Sequence, residues 1–127
     1  MTAALVDFYR VAHPEHPDEQ GRPVGPYRQA STFDLVMLGD RLADAHWDDE
    51  HPVPLRDGIG WIDVEVEVCG FASVADLEAW FDGWLSELSE AGYHRYHYRV
   101  PAEHVRTGRH QTVAPLPAEP VAVESLT

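Results

Sequence analysis

The sequence predicts a single α+β domain in which a mixed, largely antiparallel sheet packs on one long and one short helix. Three observations predict it. Residues 61–68 alternate strictly, with Ile62, Val64, Val66 and Val68 opposite Asp63, Glu65 and Glu67. Residues 73–88 carry an apolar stripe of Leu77, Trp80, Phe81, Trp84, Leu85 and Leu88 at helical spacing. Aromatic and β-branched segments at residues 3–12 and 93–100 bracket these two, so strands and helices share one core.

Taken in order, residues 3–12 read as a strand with Leu5, Tyr9 and Val11 on one face, ending at His13-Pro14. Residues 13–30 hold four prolines and two glycines and read as a loop. Ser31 or Thr32 can cap a short helix that carries Leu35, Leu38, Leu42 and Ala45. Residues 46–60 form an acidic, proline-containing connection, followed by the strand of residues 61–68. Ser73, with Asp76 three positions on, opens the long helix, and Gly92 stops it. Residues 93–100 form a strand that Pro101 ends, and residues 109–114 the last one. The domain therefore covers residues 1–114, and residues 115–127 make a flexible tail rich in proline and alanine.

Composition narrows the function. The 127 residues carry 9 basic and 22 acidic side chains, a formal net charge of −13, and every cation is an arginine. Like-charge repulsion then argues against binding DNA, RNA or anionic lipid directly. A single cysteine, Cys69, excludes an internal disulfide framework and a thiolate zinc cage, and fits a reducing cytoplasm. Neither a signal peptide nor a membrane span is expected.

The eight histidines suggest metal ligation, but their spacing argues against it. His94 and His97 would face opposite sides of a strand, and His13 and His16 sit in a proline-rich stretch, so no metal is expected. Cys69 reads as a small core residue at a strand end. No nucleophile elbow and no glycine-rich phosphate loop occurs, which leaves hydrolase and P-loop chemistry without an anchor.

Four segments remain: residues 8–13 (FYRVAH), 25–28 (GPYR), 69–73 (CGFAS) and 105–113 (VRTGRHQTV). In this order they resemble a family of small phage and prophage proteins over residues 8–113, a likeness that implies no particular activity. The succession of elements is also similar to the ADP-ribosyltransferase fold, in which NAD lies in a cleft between two small sheets. That likeness implies Arg10 on the first strand as the group holding ribose or phosphate, with His13 as its substitute, and Tyr27 or Phe71 as the ring against nicotinamide. Gln111 falls where a catalytic glutamate would be expected. A neutral amide can bond a ribose hydroxyl but cannot offset a developing cation as a carboxylate does, so the likeness implies nucleotide binding more than catalysis.

The functional expectation is thus an ADP-ribosyltransferase-like cleft for NAD or a related nucleotide, with Arg10, Tyr27 and Arg28 in contact with it; a guanidinium fork suits pyrophosphate oxygens. The competing expectation is a non-enzymatic acidic protein that engages a basic host partner, as a host-factor binder or a mimic of DNA charge. Its basis is the net charge and the Asp63, Glu65 and Glu67 stripe.

Overall fold

The computed structural model describes residues 4–27 and 33–127. Among them, strands β1 (Leu5–Pro17), β2 (Pro23–Val24), β4 (His94–Pro101) and β7 (Ala122–Glu124) form one sheet in the order β2-β1-β4-β7. A second has the order β3-β6-β5, from β3 (Glu67–Gly70), β5 (Arg106–Thr107) and β6 (Thr112–Pro115). Every named pairing is antiparallel. The helices are short: α1 (Phe33–Ala45), α2 (Val74–Trp80) and α3 (Leu85–Glu90). The chain is thus an α+β domain of antiparallel sheets with few helices.

β1 organises the molecule because it is covered on both faces. Its Phe8 and Ala12, in register with Tyr98 and His94 of β4, face Val68 and Ala114 of the second sheet, while Val11 on the opposite face packs with α1, α2 and α3. β4 alternates as a strand with one wet face should: Tyr96, Tyr98 and Val100 point inward, and Arg95, His97 and Arg99 point outward. There His97 and Arg99 meet Asp7, and Arg95 meets Glu124. Besides the side-chain packing between them, one backbone bridge joins the two sheets. Tyr9 and Phe71 exchange both backbone hydrogen bonds, at 2.8 and 2.7 Å, so the end of β3 is stitched to the edge of β1.

Several expectations change. The first strand does not stop at residue 12 but continues to Pro17 and pairs with β2. Proline pushes the residue before it toward extended backbone, so Pro14 and Pro17, both exposed, are compatible with a strand and only break its ladder. The expected face is also incomplete, since Leu5 is half exposed and Phe8 is fully buried. In α1, Leu35, Leu38 and Leu42 are buried as the spacing predicts; Ala45 is exposed, and His46 takes the buried place four residues after Leu42. The proposed caps Ser31 and Thr32 lie outside the described residues.

The strand expected over residues 61–68 is the largest misreading. Only Glu67 and Val68 of it are strand, because Asp63 builds a turn. Its Oδ1 accepts the Glu65 N–H at 3.1 Å, and its carbonyl accepts those of Val66 and Glu67 at 3.0 and 2.7 Å. Such local bonds compete directly with a sheet ladder. The regular stripe of Asp63, Glu65 and Glu67 on one strand face therefore does not form.

The long helix is two. Ser73 caps α2 as expected, its Oγ accepting the Asp76 N–H at 3.1 Å. The chain then breaks at Gly83, whose φ of +83° lies outside helical space, before α3 begins. Leu77, Trp80, Phe81 and Leu88 are buried, whereas Trp84 is only partly so. Gly92 ends α3 with a bond from the Tyr93 N–H back to the Leu88 carbonyl. The segment beyond residue 114 is also more than a flexible tail: β7 pairs with β4, and Leu126 is buried in the main core.

Candidate functional site

A cavity of about 430 Å³ opens where β1, β3 and the end of α2 converge near the Tyr9–Phe71 bridge. Arg10, Tyr27, Phe71 and Gln111 all line it. His13 is not among the residues that line it. Its Nε2 bonds the Ala91 carbonyl at 3.0 Å, its Nδ1 accepts the Glu15 N–H at 3.2 Å, and its ring packs edge-on against Tyr93. It is a satisfied structural histidine and no substitute for Arg10. Arg28 lies outside the described residues.

Arg10 is the unusual group. It is 8% exposed, on the β1 face shared with Phe8 and Ala12, and its Nη1 donates to the Pro23 carbonyl at 3.0 Å. Its Nε has no hydrogen-bond partner, and no carboxylate pairs with it among the described residues. Burial works against its charge and pulls its pKa below the ordinary 12.5. An unpaired buried cation is costly and needs a compensating partner.

Arg22, which sequence reading passed over, also lines the cavity. The turn after β1 holds it: Asp18 accepts the backbone N–H groups of Gln20 and Arg22 and pairs with Arg22 Nε at 2.8 Å, while Nη2 reaches the Val64 carbonyl at 2.8 Å. Arg22 Nη1 is left without a partner. Both carboxylates that line the cavity are committed. Burial alone would raise Asp18 and Glu67, but hydrogen bonds from Arg22 and Gln20 to the first, and from the Asp63 N–H and Arg106 to the second, hold both below their ordinary values. Neither is poised to give up a proton as a general acid.

The opposite wall is aromatic. Phe71 packs against Trp80 and Phe81, with ring centres 5.7 and 5.9 Å apart. Trp80 Nε1 donates to the Tyr27 hydroxyl at 2.8 Å, and that hydroxyl also shares a hydrogen bond with His46 Nδ1. Burial raises the Tyr27 pKa, so the phenol keeps its proton. His46 stacks on His51 at 3.7 Å, and His51 is anchored by Asp48 Oδ1 and the Trp80 carbonyl, each at 2.8 Å. Burial first, and the neighbouring His51 second, push the His46 pKa from 6.5 down to about 4.

That depression has a sign. Between about pH 6.5 and pH 4 the unfolded chain takes up a proton at His46 that the folded chain refuses, so stability present above pH 6.5 is lost as the pH falls. Melting temperatures of wild type and His46→Asn measured across this window should converge toward pH 4. Parallel curves would exclude the histidine as the cause.

Gln111 is 6% exposed and is held by its backbone N–H to Asp57 Oδ2 at 2.9 Å and by its Nε2 to the Pro52 carbonyl at 2.7 Å. It braces the loop that walls the cavity. Cys69 departs from its expected core position: between buried Val68 and Gly70, it is exposed and lines the cavity. His46 and Trp80 had a signal in the sequence, since each continues a helical stripe of buried positions. Asp57 had none. Its carboxylate is fully buried against residues more than fifty positions away.

A family model described as Bacteriophage T4 Y00F protein matches residues 1–124, almost the entire chain. The chain belongs to this phage protein family. No curated protein and no solved structure matches it significantly, so the likeness to ADP-ribosyltransferases has no structural counterpart, and the Y00F family name carries no activity with it. Within this Y00F family chain, no helix among the described residues is long and apolar enough to cross a membrane, and no group of three or more His, Cys, Asp or Glu side chains there could hold a metal ion.

Proposed function

We propose that the cavity binds a nucleotide, or a closely similar small anion carrying an aromatic ring, without transforming it. NAD is the dinucleotide that the ADP-ribosyltransferase likeness brings in. The observation that carries the reading is Arg10, a buried guanidinium on the wall of a cavity of about 430 Å³ whose Nε is unbonded and which has no carboxylate partner among the described residues. A phosphate oxygen would supply both the missing charge and the missing acceptor. Arg22, whose Nη1 is likewise buried and unbonded, adds a second cation to the lining, and Phe71, Trp80 and Tyr27 provide a shelf for a ring. The volume falls in the range of roughly 300–1,000 Å³ common to small-molecule sites.

Binding is favoured over catalysis because Asp18 and Glu67 are tied up in ion pairs, and Gln111 is neutral. No uncommitted carboxylate then faces a ribose cation. Calorimetry and thermal shift with NAD, ADP-ribose and AMP test the reading. Wild type should bind at least one of them, Arg10→Gln should bind it about tenfold or more weakly, and no nicotinamide should be released from NAD. Absence of heat and of any melting shift at millimolar ligand would end the idea.

A further inference from the structure

Two tryptophans stand almost completely in solvent: Trp47 is 86% exposed and Trp61 is 83% exposed. Large aromatic side chains are normally well buried, so a pair left out calls for a reason. Around them Val53, Leu55, Val64 and Val66 are each about half exposed. Trp47, Val53, Ile62 and Val64 rim one cavity mouth, and Trp61 immediately precedes Ile62 in the chain. The segment that carries Trp61 and Val64 is pinned. Arg106 donates to the Trp61 carbonyl at 2.9 Å and pairs with Glu67, and Arg22 donates to the Val64 carbonyl. Trp61, Val64 and Val66 of this segment are left exposed, and an exposed apolar patch rimmed by polar groups marks an interaction surface.

Charge selects the occupant. Asp44, Asp48, Asp49, Glu50, Asp63 and Glu65 are exposed in the same two segments, whereas Arg22 and Arg106 are already paired with Asp18 and Glu67, and Arg56 and Arg109 line a second hollow with Trp47. A second copy of the chain would bring another −13 to this face, and nucleic acid or anionic lipid would be repelled likewise. Arginine and lysine, by contrast, stack favourably on an indole face while pairing with flanking carboxylates. We propose that the face bearing Trp47 and Trp61 docks a basic protein segment that alternates cationic and apolar side chains. Trp47, Val53, Ile62 and Val64 also line the cavity proposed for a nucleotide, so the two occupants share an edge, and the peptide test is made without nucleotide present.

The test uses the full chain and two short fluorescent peptides, one alternating arginine with leucine and one alternating arginine with serine, at about 0.15 M salt, where surface charges more than about 8 Å apart are screened. The arginine–leucine peptide should bind about tenfold or more tightly than its serine counterpart, and Trp47→Ser with Trp61→Ser should remove that advantage without changing the melting temperature. Equal binding of the two peptides, or no binding of either, would overturn the proposal. So would a wild-type dimer in sedimentation that the double variant abolishes, because it would make a second copy the occupant.

Discussion

Asp57→Ala is expected to lower the thermal midpoint by on the order of 10 °C, through a loss of about 3–5 kcal/mol. The Asp57 carboxylate is 1% exposed and accepts the His110 N–H at 3.0 Å, the Gln111 N–H at 2.9 Å and His110 Nδ1 at 2.9 Å. Its own carbonyl accepts the Arg109 N–H at 3.1 Å. Truncation strands the buried Gln111 N–H and the part-buried His110 donors, and a buried donor left unmade costs about 1–3 kcal/mol. Asp57→Asn retains one acceptor oxygen and should fall in between. The loss reaches the cavity as well, because Gln111 links Asp57 to the Pro52 carbonyl. An alanine variant that melts within about 2 °C of wild type would show that water replaces the carboxylate at little cost.

Gly70→Ala is expected to cost about 3 kcal/mol in denaturant unfolding, at the upper end for overpacking. A Cβ on Gly70 would lie 2.5 Å from the Tyr9 carbonyl oxygen and closer still to Phe8 Cζ. The first is backbone and the second a ring with no exposed surface, so neither can step aside cheaply. Relief must come from parting β1 and β3 beside the Tyr9–Phe71 bridge, which shifts Arg10 and Phe71, the next residue along each strand, relative to one another. Nucleotide affinity should therefore fall together with stability. The neighbouring Cys69→Ala, at an exposed position, serves as the control and should change stability by no more than about 0.5 kcal/mol. Equal stability of the two variants would mean that the strands have slack at this crossing.

What could be read from the chain alone follows the reach of each interaction. The Ser73 cap, the Leu35, Leu38 and Leu42 face and the strand ended by Pro101 depend on spacing within a few residues, and they appear where the pattern puts them. Residues 61–66 failed because one aspartate's local hydrogen bonds outcompeted an alternating pattern that fits a strand equally well. The long helix failed at Gly83, since an apolar stripe carries no information about where backbone changes hand. Of the proposed site residues, Arg10, Tyr27, Phe71 and Gln111 line one cavity, whereas His13 is taken up by the Ala91 carbonyl. Arg22, Asp57 and the Tyr27–His46–Trp80 chain were out of reach because their partners are brought in by the tertiary fold.

The pairing of β1 with β4 sets Leu5 opposite Pro101, and that of β3 with β6 sets Glu67 opposite Pro115. The ladder of β1 with β4 closes nearest in sequence at Ala12 opposite His94, so about two thirds of the chain must be drawn into a loop before that ladder returns any contact energy, and the entropic toll precedes the reward. Acquisition of the native state then runs toward the slow end for domains of this size, with α2 and α3 too short to persist before the strands support them. Sequence changes in the intervening connections will act mainly on how long that search takes, and changes in β1 on whether it ends.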